Sequence, residues 1–196
     1  VSSQAVEELR FYFKNPYFTN DGDSISYGLF TKSTDASKLD ISSYLLDETG
    51  VTLGYGVPLS KTSNIFAENT ISDFSLTCSE KYSGALYEQQ QCLDNKSLDF
   101  NLSLNYTNNT LNDFYNPTKG MKNVLTSAIA LPVGDFKYYK IESKNSYYQP
   151  IFEDSTILTK LNFQLAQGYG NEDLPFFKRY FGGGASSIRG FDFNSL

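Results

Sequence analysis

Leu98-Asp-Phe-Asn-Leu-Ser-Leu-Asn-Tyr-Thr107 is the stretch whose reading decides the fold. Leu98, Phe100, Leu102, Leu104 and Tyr106 alternate with Asp99, Asn101, Ser103, Asn105 and Thr107. In an extended chain successive side chains point to opposite sheet faces, so this segment has one apolar and one polar face. The two N-x-[ST] matches inside it, at Asn101 and Asn105, carry little weight, because an acceptor site within a strand is unusable.

The same period of two recurs on both sides. Leu9, Phe11 and Phe13 alternate with Glu8, Arg10, Tyr12 and Lys14. Ile25, Tyr27 and Leu29, then Val51, Leu53, Tyr55 and Val57, repeat it. Ile65 to Ser72 is weaker, with Asn69 out of pattern. Further on come Leu125, Ser127, Ile129 and Leu131, then Tyr138 to Tyr148 with Lys140, Glu142 and Lys144 on the polar face, then Leu161, Phe163 and Leu165. This predicts eight strands and no helix of note. The connections alternate in kind. Asn15 to Gly22, Pro58 to Ser63, Asn112 to Gly120 and Pro150 to Ser155 are compact turns rich in Pro, Gly, Asn and Asp. Thr31 to Tyr44, Asp73 to Lys96, Pro132 to Phe136 and Asn171 to Phe191 lie between them, and three of these are long. In an up-and-down meander this puts short turns at one end and long loops at the other, the layout of an outer-membrane barrel. A soluble antiparallel sandwich also alternates. Three features favour the membrane: charges on the polar face, strands of about 9–11 residues, and aromatics at strand ends (Tyr17, Phe18, Phe114, Tyr115, Tyr147, Tyr148), as in interfacial girdles.

Composition narrows the function. The chain has 196 residues, a size for one domain, and no apolar run long enough for a membrane helix. A net charge of -6 argues against a nucleic-acid partner. The absence of histidine removes Ser-His-Asp and Cys-His catalysis and the commonest transition-metal ligand. Carboxylate-only chemistry stays open, but no pair of acids stands out from the loops that hold most of them, so no enzyme and no cofactor is expected. Cys78 and Cys92 sit in a polar, turn-rich stretch. Either they form a disulfide inside an exposed loop, which requires an oxidising compartment, or they are two reduced thiols.

The C-terminal run Phe181-Gly-Gly-Gly-Ala-Ser-Ser-Ile-Arg-Gly-Phe191 is the candidate site. Gly182, Gly183 and Gly184 give backbone freedom for a loop that folds back on itself. Arg189 supplies a permanent charge and a rigid fork of donors. Gly190 lets the chain approach whatever that fork touches.

Together the motifs resemble the barrel domain of the Omp85 family of outer-membrane assembly factors. The resemblance rests on Asn15-Pro16-Tyr-Phe-Thr followed by Asp21-Gly22, on Pro117-Thr118-Lys-Gly120, and on Tyr138-Tyr-Lys and Gly168-Tyr-Gly. It is completed by Pro175-Phe-Phe, Phe181-Gly-Gly and Ile188-Arg189-Gly190-Phe191, in order, along nearly the whole chain. The cysteine loop matches nothing in the family pattern. The resemblance implies an all-β, transmembrane, antiparallel up-and-down barrel of about 16 strands. Residues 1–196 would supply about eight of these strands, with the sixth extracellular loop over about 171–196 and no POTRA domains. It implies a Gram-negative outer membrane, contact with its lipids, unfolded outer-membrane clients, and accessory lipoproteins bound through the POTRA domains. It also implies that Arg189 binds the inner wall, with its acidic partner on a strand beyond Leu196. A two-partner-secretion transporter of the same family and a passive porin or receptor are the alternatives.

Overall fold

The computed structural model describes residues 5–39, 44–78, 92, 97–152, 154–183 and 190–191. Eight strands form one antiparallel sheet in sequence order: β1 Val6–Asn15, β2 Ser24–Asp35, β3 Tyr44–Pro58, β4 Ser63–Cys78, β5 Leu98–Asn109, β6 Gly120–Ala130, β7 Tyr138–Phe152 and β8 Ser155–Gly168. The sheet is open, a partial barrel, with β1 and β8 at its edges.

The registers carry the alternation across the sheet. Phe11 pairs with Leu29, Leu29 with Val51, Val51 with Ile71 and Ile71 with Phe100, one apolar row over five strands. These side chains face outward and lack a covering layer among the described residues; Phe11 is 67% and Leu29 58% exposed. Such a surface suits hydrocarbon, not water. A sandwich would bury this face against a second sheet, so that alternative does not hold. The opposite face carries Arg10, Lys14, Lys32, Lys122, Lys140, Lys144 and Lys160. Every lysine and arginine of the strands therefore points to the lumen side.

Six of the eight strands are longer than the sequence pattern predicts, 12 to 16 residues, while β1 and β6 have 10 and 11. β2 and β3 stay paired through Thr31–Thr49 and Ser33–Asp47, and β4 joins them through Asp73 and Ser75. The ladder needs only backbone groups, so it continues above the apolar band. There water solvates outward polar side chains, and hydropathy gives no signal. The connections expected over Thr31 to Tyr44 and Asp73 to Lys96 shorten accordingly. Pro150 also belongs to β7, not to a turn, because the β7–β8 register shifts between Pro150 and Phe152. A bulge is where a residue without an N–H is tolerated in a ladder. Tyr147 and Tyr148 cannot both be girdle residues: as neighbours on β7, Tyr147 faces out and Tyr148 faces in.

Side chains build the short turns. In the turn after β1, Asn15 Oδ1 accepts from the Tyr17 amide at 3.1 Å, and Gly22 takes φ +87. In the turn before β6, Asn112 Oδ1 accepts from the amides of Thr118 (3.0 Å) and Lys119 (2.9 Å), and its Nδ2 donates to Thr118 Oγ1. Pro117 precedes this clamp. Gly120 closes it with φ +107, its backbone against the Thr110 carbonyl, where a side chain would collide. Asp113 accepts from the amides of Asn116 and Tyr115, and these bonds hold its carboxyl below the usual carboxylate range.

On the inner face, Gly50, Gly54 and Gly56 of β3 make room for aromatic rings. Phe30 covers Gly50, and Phe66 covers Gly54 and Gly56. Arg10 lies 5.1 Å from the Phe30 ring and Lys14 5.0 Å from that of Phe66. A Cβ on Gly54 would meet Phe66 and sit 2.5 Å from Ser26 Oγ. Gly54→Ala is expected to cost about 1–3 kcal/mol through overpacking. A fall in the temperature at which the barrel unfolds on a denaturing gel checks it; an unchanged temperature would contradict it.

Candidate functional site

The core of this chain lies where the segment after β8 turns inward. Gly170 and Asn171 both take positive φ, 68° and 62°. Two consecutive left-handed residues reverse the chain tightly. The Tyr169 amide donates to the Lys137 carbonyl at 3.1 Å, and its hydroxyl donates to the Ala130 carbonyl at 2.5 Å. Lys137 pairs with Glu172 at 3.6 Å. The returning chain lies so close over Gly168 that a Cβ there would strike the Glu172 carbonyl.

Pro175 then starts a single 3-10 turn, Phe176–Lys178, with Lys178 N donating to Pro175 O at 2.9 Å. Proline suits this position because its fixed φ and missing N–H cost nothing at a helical start. The turn drives two adjacent rings into the wall. Phe176 meets Tyr44 of β3 edge-on at 5.1 Å. Phe177 packs on Phe74 of β4 at 5.7 Å and on Phe136, before β7, at 5.8 Å. Leu46 and Leu174 fill in around them, and Phe176, Tyr44 and Ala36 also pack against Cys78 and Cys92. T-shaped and offset pairs at these separations add about 0.5–1.5 kcal/mol each beyond area burial.

Beside this cluster is the one charged group of the wall that is fully buried among the described residues. Asp99 of β5 is 1% exposed. Its Oδ2 accepts from the Tyr138 hydroxyl at 2.6 Å and faces Lys178 Nζ at 3.3 Å. Asn101 Nδ2 donates to the same Tyr138 oxygen at 3.2 Å. Lys178 Nζ also lies 4.2 Å from the centre of the Phe74 ring. The other oxygen of Asp99, Oδ1, is buried with no hydrogen-bond partner among the described residues. Next along the loop, the Tyr180 ring takes Lys140 Nζ at 4.1 Å. Burial, and then the Glu142 charge, raises the Tyr180 phenol above its ordinary value.

Cys78 and Cys92 are bonded, with S–S 2.00 Å. The expectation of an exposed-loop disulfide needs correcting. Cys78 ends β4, and the bridge packs beside Phe176 and Tyr44. The bond therefore ties the β4–β5 connection to the cluster that receives the inward segment.

Of the glycine run, Gly183 is buried with φ +111 and Gly182 is half-buried. Gly184, Ile188 and Arg189 lie outside the described residues. Gly190 has φ +92, the left-handed region that favours glycine, and among the described residues nothing lies within 4 Å of where its Cβ would stand. Phe191 is exposed. Asn15, Pro16, Pro117, Thr118 and Gly120 stand in the short turns at the opposite end of the strands.

Sequence reasoning missed the residues that make the dock. Asp99 was visible only as one more member of the polar face of its strand. Lys178 directly follows the Pro175-Phe-Phe motif, but nothing in the sequence joins it to Asp99. Among the described residues there is no cluster of three or more metal-ligating side chains. The arrangement holds a loop against the inner wall.

A family model described as the Omp85 superfamily domain matches residues 2–196. The outer membrane protein assembly factor BamA of Neisseria meningitidis serogroup B (strain ATCC BAA-335 / MC58) is 25% identical over 195 residues, covering 94% of this chain and 24% of that protein. The crystal structure of BamA from Haemophilus ducreyi lacking POTRA domains 1-3 superposes with a TM-score of 0.85 at 22% identity, covering 98% of this chain and 39% of that one. The chain thus spans about a quarter of the length of the curated relative it matches.

Proposed function

Because the chain belongs to the Omp85 superfamily, we propose that it is the central barrel portion of an outer-membrane protein that folds and inserts other β-barrels. The observation that carries this reading is the inward dock of the segment after β8. Aromatic rings and an ion pair bind that segment to the inner wall.

The apolar outer face meets the lipids of the outer membrane. Unfolded outer-membrane proteins are the clients, and accessory lipoproteins bind through POTRA domains outside this chain. No chemical step and no cofactor is involved. Clients gain backbone hydrogen bonds by pairing with an exposed strand edge, a form of β-augmentation. In hydrocarbon an unpaired strand edge costs several kcal/mol per group, which drives such pairing. This chain contributes wall and loop. Arg189, which lies outside the described residues, is the residue that the family resemblance assigns as an anchor of that loop.

The test is made in cells that depend on the full-length protein. Depletion is expected to lower the amount of folded outer-membrane β-barrels, and Arg189→Ala to reproduce a large part of that loss. Normal levels of folded barrels after depletion would overturn the reading. A steady, ion-selective conductance from the purified barrel would favour a porin.

A further inference from the structure

We infer that Lys178 is a positioning residue, a latch that holds the inward loop to the wall upstream of, and separately from, the Arg-Gly-Phe motif. Four observations meet at this side chain. Its Nζ lies 3.3 Å from Asp99 Oδ2 and 4.2 Å from the Phe74 ring centre. Asp99 is 1% exposed, so its charge has been taken out of water and needs a compensating cation. Tyr138 supplies a hydroxyl to the same oxygen, but a hydroxyl offsets no charge. Oδ1 has no hydrogen-bond partner among the described residues, which leaves the carboxylate more dependent on Lys178.

The geometry makes the latch specific to the docked loop. Asp99 is the second residue of β5 and Tyr138 the first of β7, so both stand on the rigid wall at the long-loop end. Lys178 comes from the 3-10 turn that also seats Phe176 and Phe177. If the loop lifts, the wall keeps a buried carboxylate with no cation, and water must enter to solvate it. The ion pair thereby couples departure of the loop to wetting of the aromatic cluster. The latch itself is a property of the folded chain. Its consequence for assembly rests on the function proposed above.

Hydrogen exchange of residues 169–183 in the purified full-length protein tests it, with strand peptides of β3 to β5 as the internal reference. Lys178→Met keeps much of the apolar stem and removes the charge. It is expected to speed exchange of the loop by about a hundredfold while the strands stay protected. The partial exposure of Lys178, 19%, sets the effect below the fully buried limit. Lys178→Arg keeps the charge and is expected to retain most of the protection. Native protection in Lys178→Met would overturn the proposal, as would equal loss in the methionine and arginine variants. Because this readout needs no client, a loop freed by Lys178→Met in cells with normal barrel assembly would support the latch and refute only its consequence for assembly, while the assembly reading itself stands or falls by the depletion test.

Discussion

Phe176→Ala in the full-length protein is expected to cost the docked loop about 3–5 kcal/mol, the range for truncating a buried aromatic. Phe176 is 3% exposed and lies at the meeting point of three elements. It touches Tyr44 of β3 at 5.1 Å, Phe177 beside it at 5.6 Å, and the Cys78–Cys92 bridge. Truncation leaves a cavity that the paired strands cannot close, because hydrogen-bond registers on both sides fix the wall. The expected outcome is therefore release of the loop and not collapse around the gap. Protease cleavage within 169–183 in detergent-solubilised protein should appear in Phe176→Ala and be absent from the parent, with the strands intact. Phe176→Leu should lose less, since it keeps part of the volume. Cleavage resistance equal to the parent would show that Phe177 and Lys178 suffice.

The second large effect concerns the disulfide. Replacing Cys78 and Cys92 with serine is expected to destabilise the barrel by about 3 kcal/mol in the chain-entropy account, given the separation of 14 residues. The loss should not stay local. Cys78 is the last residue of β4, four positions beyond Phe74, and the bridge packs against Ala36, Tyr44 and Phe176. Two serines would put hydroxyls where sulfur filled apolar space, beside the seat of the inward loop. The denaturation midpoint of the double variant should fall and its loop should become cleavable. Treating the parent with a reductant should reproduce both changes. A midpoint within error of the parent would mean that the aromatic contacts alone fix this end of the wall.

How far the fold was legible can be judged residue by residue. Leu98 to Thr107 announced β5, and the same alternation announced its seven companions, because a strand between lipid and a polar lumen must alternate in every residue. The turns were legible too: Asn15, Asn112, Pro117 and Gly120 are residues whose side chains or φ values make such reversals. The upper ends of β2, β3 and β4 were not. There Thr31, Asp47, Asp73 and Ser75 face water, and backbone pairing continues without any hydropathy to mark it. The inward orientation of Tyr148 was legible from its neighbour Tyr147, because adjacent residues of a strand face opposite sides.

The sequence by itself determined eight alternating strands in up-and-down order, each with an apolar and a polar face, followed by a long glycine-bearing segment; the exposure of the apolar face came from the structure. Those properties are local: period two, turn chemistry and loop length are written in consecutive residues. Only the tertiary structure decided what the loop grips. Lys178, Asp99 and Tyr138 are far apart in the chain and meet because the strand registers set the wall and Gly170–Asn171 reverse the chain onto it. The same is true of the disulfide, whose two cysteines left both redox states open until the registers placed Cys78 beside Tyr44. Contact between distant residues depends on the summed geometry of every element between them, and no local pattern encodes that sum.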